Sequence, residues 1–407
     1  MAADGARKMG LPMDVMLEIA GGTDPTTVVR LAATCKDLRR HIGDPSSFRG
    51  GRLRLRRGER LVPSLLGGQL VAKWGKDLYI EDRASNLIAT GCFRHEKEPC
   101  IPVPIAARDG LVLVRVYHDH QWHPGAHFPM DLRVCCPATG RVQSLPRDGP
   151  ELGQFVLLVG DGEGGGGGAV GRPFKVLNVA SAEAGLMHHQ RRHRFEFQTF
   201  SSERGTWGPR TWRWPPGRHK YECCSLPPLP GRHLVLGDSI YWLYRKRSRA
   251  SYYVFKLDVG NGNAELTSTW LPSSFDRECE YLCSRTQHIL LAATAARIPV
   301  VLVAGRRGIS AWNMSEDAAS WTDQPHVVID YEAMERFGNV QGRGLGMVQL
   351  DWFAERSGVV QVTTKRCGFF WLHLQSRKII RHFPGSLYTR SCPYEIDLST
   401  WVPNLTL

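Results

Sequence analysis

The 407-residue sequence has no uninterrupted apolar run of membrane-spanning length. Its most apolar stretch, Ile289 to Gly305, carries Arg297 and Pro299 at its middle. A charge at the centre of a bilayer costs about 2.5–3.5 kcal/mol even on a lenient scale, so two strands around a turn are expected there. Residues 1–10 hold Asp4, Arg7 and Lys8 and lack the apolar segment that directs secretion. The sequence also lacks a disulfide framework. Its 11 cysteines are odd in number, irregularly spaced and include the vicinal pairs Cys135-Cys136 and Cys223-Cys224, which implies buried, reduced thiols. These absences point to an intracellular protein of the nucleus and/or cytoplasm. Helical periodicity is scarce after residue 50. Acidic residues are in deficit, 39 against 52 lysines and arginines, a net charge of +13.

Chemical motifs are equally sparse. Gly164 to Gly168 is followed by Ala169-Val170 instead of the Lys and Ser/Thr of a phosphate loop, and reads as a loop tip. Gly237-Asp238-Ser239 is flanked by apolar strand residues, not by the strand-turn-helix elbow of a serine hydrolase. Cys279 and Cys283 have no second pair to complete a zinc set. His118, Asp119, His120, His123 and His127 form the densest candidate metal cluster. Neutral imidazoles suit zinc or copper, but no carboxylate or thiol completes a closed site, and Pro124-Gly125 mark a solvent turn. No catalytic residue, metal or cofactor is therefore assigned.

What is present begins with three short helices in residues 11–48. Met13 to Ala20 carries Val15, Met16 and Ile19 on one face. Gly21-Gly22 end it, and Asp24 with Pro25 opens a second helix bearing Val28, Leu31 and Ala32. Cys35, Leu38 and Ile42 continue the stripe into a third, with Lys36, Arg39 and Arg40 outward. A unit this small rarely holds itself together, so its apolar stripe must dock, either on the rest of the chain or on another protein. Leu11-Pro12, Asp14, Glu18-Ile19, Asp24-Pro25, Val28, Leu31 and Cys35-Lys36 resemble an F-box, with Leu38 where the pattern carries tryptophan. The resemblance covers residues 9–49. It implies binding to the Skp-type adaptor of a cullin-based ubiquitin ligase. Leu11, Pro12, Ile19, Val28, Leu31 and Leu38 match the apolar positions that meet the adaptor or hold the helices together.

Residues 50–70 include a basic strip, RGGRLRLRRGER from Arg49 to Arg60, which reads as a solvated junction. From residue 71 the chain alternates short apolar runs and polar turns. Runs ending at residues 80, 135, 200, 257, 312 and 374 each lead into a polar turn, at spacings of 55, 65, 57, 55 and 62 residues. Further strand signals precede them, at Leu111 to Val116, Phe174 to Val179, His233 to Leu243 and Gly358 to Thr363. Units of this length with about four strands suggest the blades of a propeller, about six of them over 71–407. One or two β-sandwiches are the alternative. VCCPATGRVQSLP, HLVLGDSIYWL, YYVFKLDV and WFAERSGVVQV resemble the β-rich F-box-associated domain of plant, especially grass-type, F-box proteins. The expected fold is thus mainly β, a three-helix F-box followed by a propeller-like domain.

Charge is concentrated. Residues 186–250 hold 13 basic and 4 acidic residues, interleaved with Phe195, Phe197, Phe200, Trp207, Trp212, Trp214 and Tyr221. The aromatics read as blade core. Arg191, Arg192, Arg194, Arg245, Lys246, Arg247 and Arg249 make a candidate patch for an acidic partner. The resemblance implies a substrate-receptor subunit that performs no chemistry itself and recruits an unknown protein substrate. The alternatives are an all-β enzyme or glycan-binding propeller, of which a zinc- or copper-dependent activity would need the histidine cluster, and a nucleic-acid-binding regulator using the basic aromatic segment.

Overall fold

The computed structural model describes residues 11–22, 31–32, 35–43, 66–72, 77–81, 87–93, 100–118, 131–147, 153–160, 170–184, 192–214, 233–245, 251–259, 265–280, 286–315, 320–339, 344–384 and 391–396. Strands dominate, and they form six antiparallel sheets. The first sheet contains β1 (Leu66–Ala72), β2 (Leu78–Glu81) and β3 (Leu87–Ala89), completed by the last described strand, β25 (Ser391–Glu395). The second is β4 (Cys100–Arg108), β5 (Leu111–His118), β6 (Asp131–Cys136) and β7 (Arg141–Ser144). The third is β8 (Gln154–Val159), β9 (Phe174–Ala184) and β10 (Arg192–Ser201), with β11 (Thr206–Trp207) and β12 (Thr211–Arg213) both on the outer edge of β10. The fourth is β13 (His233–Leu236), β14 (Ser239–Arg245), β15 (Tyr252–Asp258) and β16 (Glu265–Trp270). The fifth is β17 (Ile289–Ala293), β18 (Pro299–Ala304), β19 (Gly308–Asn313) and β20 (His326–Asp330). The sixth is β21 (Val348–Ala354), β22 (Val359–Thr364), β23 (Gly368–His373) and β24 (Lys378–Phe383).

The innermost strands contact their neighbours in a ring, β25 against β4, β4 against β8, β13 against β17, β17 against β21 and β21 against β25. This is a six-bladed β-propeller. The sandwich alternative fails because each sheet packs on two neighbours instead of one. β18 shows why. Val300, Leu302 and Ala304 enter the core shared with the sixth blade, while Val301 and Val303 enter the core shared with the fourth. Side chains alternate across a strand, so a strand buried on both faces must be apolar throughout. That is the physical origin of the run from Ile289 to Ala304, and Arg297 occupies the turn between its two strands.

The six apolar runs expected to precede turns all end where a third strand turns into the fourth. The expected boundary at residue 71 falls inside β1, which begins at Leu66. Gly67 and Gly68 resemble a linker in isolation, yet this segment pairs with β25. Asp109-Gly110 supplies a two-residue turn between β4 and β5, both residues at positive φ (48° and 79°), the backbone that matches the right-handed strand twist.

Before the propeller, the described residues include α1 (Met13–Gly22) and α2 (Lys36–Gly43). Of the expected second helix, Leu31 and Ala32 are described and are helical. α1 runs two residues beyond the expected end. Its inward face also differs from the expected stripe. Met13, Met16, Leu17 and Ala20 point into the core, at i, i+3, i+4 and i+7, together with Leu31, Ala32, Cys35 and Leu38. The same cluster contains Leu113 and Val134 of the second blade and Phe155 and Phe200 of the third. The helical unit therefore docks on the chain itself, while Ile19 faces solvent. Among the described residues, two further short α-helices follow the fourth and fifth blades, α3 (Ser273–Glu280) and α4 (Tyr331–Gly338). α4 opens on an Asp330 N-cap that accepts from the Ala333 N–H.

The ring closes only through β25, so its removal should be disproportionately damaging. A chain lacking residues 391–407 is expected to lose its cooperative thermal transition by near-ultraviolet circular dichroism. Tyr394→Phe deletes one hydrogen bond, from the phenol to Gly110 O at 3.1 Å, and should cost about 0.5–1.5 kcal/mol in denaturant unfolding.

Candidate functional site

All six innermost strands run the same way along the channel, so their C-terminal ends meet at one mouth. There they line a cavity of about 620 Å³, with Arg108 and Asp109 at the end of β4, Val159 of β8, Val235 to Asp238 at the end of β13, Ala293 to Ala295 and Arg297 at the end of β17, Glu355 to Gly358 after β21, and Glu395 of β25. His373, Leu374 and Gln375 add a wall from the turn after β23. The strands turn back here, and turn positions take the polar residues that the strand cores exclude. Polar side chains from the different blades are thereby brought face to face.

A network of ions crosses the mouth. Arg108 Nη1 donates to Glu355 Oε2, joining the second blade to the sixth. The Val235 N–H of the fourth blade donates to Glu355 Oε1 at 3.0 Å. Arg356 Nε pairs with Asp109 Oδ1, whose other oxygen lies 4.0 Å from Arg108 Nε. Glu395 Oε1 accepts from the Ser357 N–H at 2.6 Å and from the Ser357 hydroxyl. Its Oε2 accepts from the Arg356 N–H at 3.3 Å. Four of the six blades are thus tied together through charged side chains.

Burial sets the protonation of these groups. It pushes the Glu355 carboxyl up to about 7, against the opposing pull of Arg108 and the Val235 N–H and with the help of Glu395 and Asp109. Glu395 is raised for the same primary reason. His233 beside them is lowered to about 4 by burial and by the Arg108 charge. His373 is also lowered by burial and stays neutral at physiological pH. Its Nδ1 accepts from the Ser376 N–H at 3.3 Å, which places the proton on Nε2. Arg297 sits on the rim at φ 61°, a left-handed conformation that costs a non-glycine side chain about 1 kcal/mol or more.

A second surface lies on the helical unit. Leu11 and Ile19 are exposed by 59% and 46%, and Pro12 is exposed beside them. Leu31 is half-buried and Leu38 fully buried within the docking core, so they hold the helices in place. Val28 lies outside the described residues.

The remaining expected residues fall out as follows. Arg194 is half-buried, and its guanidinium lies 3.6 Å from the centre of the exposed Trp212 ring. Arg192 and Arg245 belong to β10 and β14. Arg191, Lys246, Arg247 and Arg249 lie outside the described residues. Phe195, Phe197 and Phe200 are blade core, with Phe195 edge-on to Phe255 of the next blade at 4.9 Å. His118 ends β5, and His120, His123 and His127 lie outside the described residues, as do Gly164 to Gly168. No cluster able to hold a metal occurs among the described residues. Gly237-Asp238 is the turn between β13 and β14, and the Ser239 hydroxyl donates to Asp258. The eight described cysteines are free thiols, seven of them buried, and burial raises Cys136 to about 11. The charged mouth went unrecognised in the sequence because its members are spread from residue 108 to residue 395.

Residues 102–406 match the model of a family described as domain of unknown function DUF7595. The match takes in β25 but not β1 to β3. A comparison with curated proteins finds no match. Among solved structures, a chain from a structural and mechanistic study of two prolyl endopeptidases is similar at 8% identity and a TM-score of 0.31, over 91% of this chain and 52% of that one. The chain spans about half the length of that protein, and a likeness at this level says nothing of the chemistry here.

Glu355 provides a test of the mouth's electrostatics. Its folded-state value lies above the ordinary 4.5, so the folded protein binds more protons than the unfolded one between pH 4.5 and about 7. Stability is therefore lost as pH rises through that window. Glu355→Gln removes the titration. The stability of the wild type relative to this variant should fall by up to about 3 kcal/mol from pH 4.5 to 7, read by urea unfolding at each pH. A flat difference would show that Glu355 titrates normally.

Proposed function

The chain belongs to the DUF7595 family, and because that membership assigns no activity, we propose a function from the residues themselves: a substrate-receptor subunit of a Skp–cullin–F-box ubiquitin ligase. The N-terminal unit binds the Skp-type adaptor, the propeller recruits a protein substrate, and the chain performs no chemistry of its own. Transfer takes place elsewhere in the assembly, and the receptor acts by raising the effective concentration of its substrate.

The observation that carries this reading is the division of the helical unit into two apolar faces. The ordered series Leu11-Pro12, Glu18-Ile19, Leu31 and Cys35-Lys36 resembles an F-box. One face, with Met16, Leu17, Ala20 and Leu38, is used internally. Leu11, Pro12 and Ile19 are left outside, although apolar surface gains roughly 25 cal/mol per Å² when covered. A partner's groove is the natural cover for that second face. A closed propeller with a polar channel mouth supports the other half of the reading, because its loops present several blades' side chains to one ligand.

Replacing Leu11 and Pro12 together by alanine tests the reading directly. Both residues are exposed, so the propeller's unfolding transition should be unchanged. Co-purification with the Skp-type adaptor should fall to background. Recovery of adaptor at the wild-type yield would remove the basis of the proposal.

A further inference from the structure

The channel mouth holds three guanidiniums, Arg108, Arg297 and Arg356, and four carboxylates, Asp109, Asp238, Glu355 and Glu395. The formal charges almost cancel, but their engagement does not. Both oxygens of Glu355 and both of Glu395 accept hydrogen bonds from within the network. Asp109 is paired with Arg356 and flanked by Arg108. The acceptors of the buried carboxylates are thus occupied by the protein itself.

Donors are left over. The Arg297 side chain is exposed on the rim and makes no hydrogen bond or ion pair among the described residues. His373 is 6% exposed, and its Nδ1 is engaged by Ser376. That leaves its Nε2–H without a partner among the described residues, and it lies in the cavity wall. Gly358 stands beside it, where a Cβ would come within 3.8 Å of Nε2. A neutral, buried N–H donor and a solvent-reaching guanidinium that line the same cavity suit an oxyanion, since arginine pairs bidentately with carboxylate or phosphate. Asp238 on the rim is the one exposed carboxylate of the set, and it opposes such a ligand at long range. The protein's net charge of +13 draws acidic partners toward it.

We infer that the channel mouth binds an oxyanion-bearing peptide segment, its carboxylate or phosphate gripped by Arg297 and by the Nε2–H of His373. The inference rests on the substrate-receptor reading only in assigning the peptide to a recruited protein. Its geometry is independent of the helical unit.

The test uses the full chain and four fluorescent probes, namely pentaglutamate, a tetraserine peptide carrying one phosphoserine, unmodified pentaserine and pentalysine. Binding is followed by anisotropy. The two anionic probes should bind saturably and the other two should not. The stronger of the anionic pair identifies carboxylate or phosphate as the preferred group. Arg297→Asn suits the left-handed backbone and so leaves the fold intact, and it should weaken anionic binding about tenfold. His373→Phe should weaken it similarly and His373→Gln restore part of it, since the amide regains a donor near the Nε2 position. Asp238→Asn should tighten it. Absence of saturable anionic binding, equal binding by Arg297→Asn, or preference for pentalysine would each overturn the inference. Adaptor capture by the same variants is measured in parallel and should not change. A failure confined to the probes rejects the mouth site alone, whereas loss of adaptor capture by wild type rejects the receptor reading.

Discussion

The pairing of β25 with β1 is the constraint on which the rest depends. A propeller blade is apolar on both faces, and it stays in water only because a neighbour covers each face. An open ring would expose the faces of its two end blades and the unpaired edges of their strands. Here the first blade borrows its innermost strand from the other end of the chain. Leu70 opposite Cys392 and Gly68 opposite Tyr394 fix the register. The tie is strengthened across the channel, where Glu395, the last residue of β25, accepts from Ser357 and Arg356 of the sixth blade. The family match begins at residue 102, so the ring is sealed by three strands that precede it.

The charged mouth follows from that closure. Six innermost strands of one direction deliver six turns to one end, and turns carry the residues that the cores refuse. Buried ion pairs are weak evidence for stability, because desolvation offsets much of the attraction. What the network does provide is registry between blades. Arg108 to Glu355 to Val235 spans the second, sixth and fourth blades, and the three cannot slide independently while it is intact. The same saturation of the carboxylates leaves donors facing the opening.

The helical unit obeys a related economy of surface. Its eight- and ten-residue helices are too short to persist alone. They gain order by burying Ala20, Ala32 and Leu38 against the second and third blades. Because that contact uses only one side of α1, residues such as Ile19 remain outside without loss of fold. Docking on the chain and docking on a partner, which compete as readings of an apolar stripe, are here compatible on opposite faces.

Much of the architecture was legible in the sequence because it is written in local signals. Apolar runs and polar turns recur at a nearly fixed spacing, and each marks a third-to-fourth strand hairpin. The run around Arg297 reads as two strands because a charge and a proline cannot sit mid-membrane. Arg297 itself, Glu355, Glu395 and His373 carried no such signal. Each looks like an ordinary surface residue in its own segment, and nothing in a short window reveals that positions 108, 355 and 395 converge. Periodicity is a property of neighbours in the chain, so the sequence by itself determined the blades and their number. Closure of the ring, the direction in which α1 turns its apolar residues, and the meeting of the charged groups at one mouth depend on contacts between residues hundreds of positions apart. Only the tertiary structure decided those, because burial and charge pairing act through space and not along the chain.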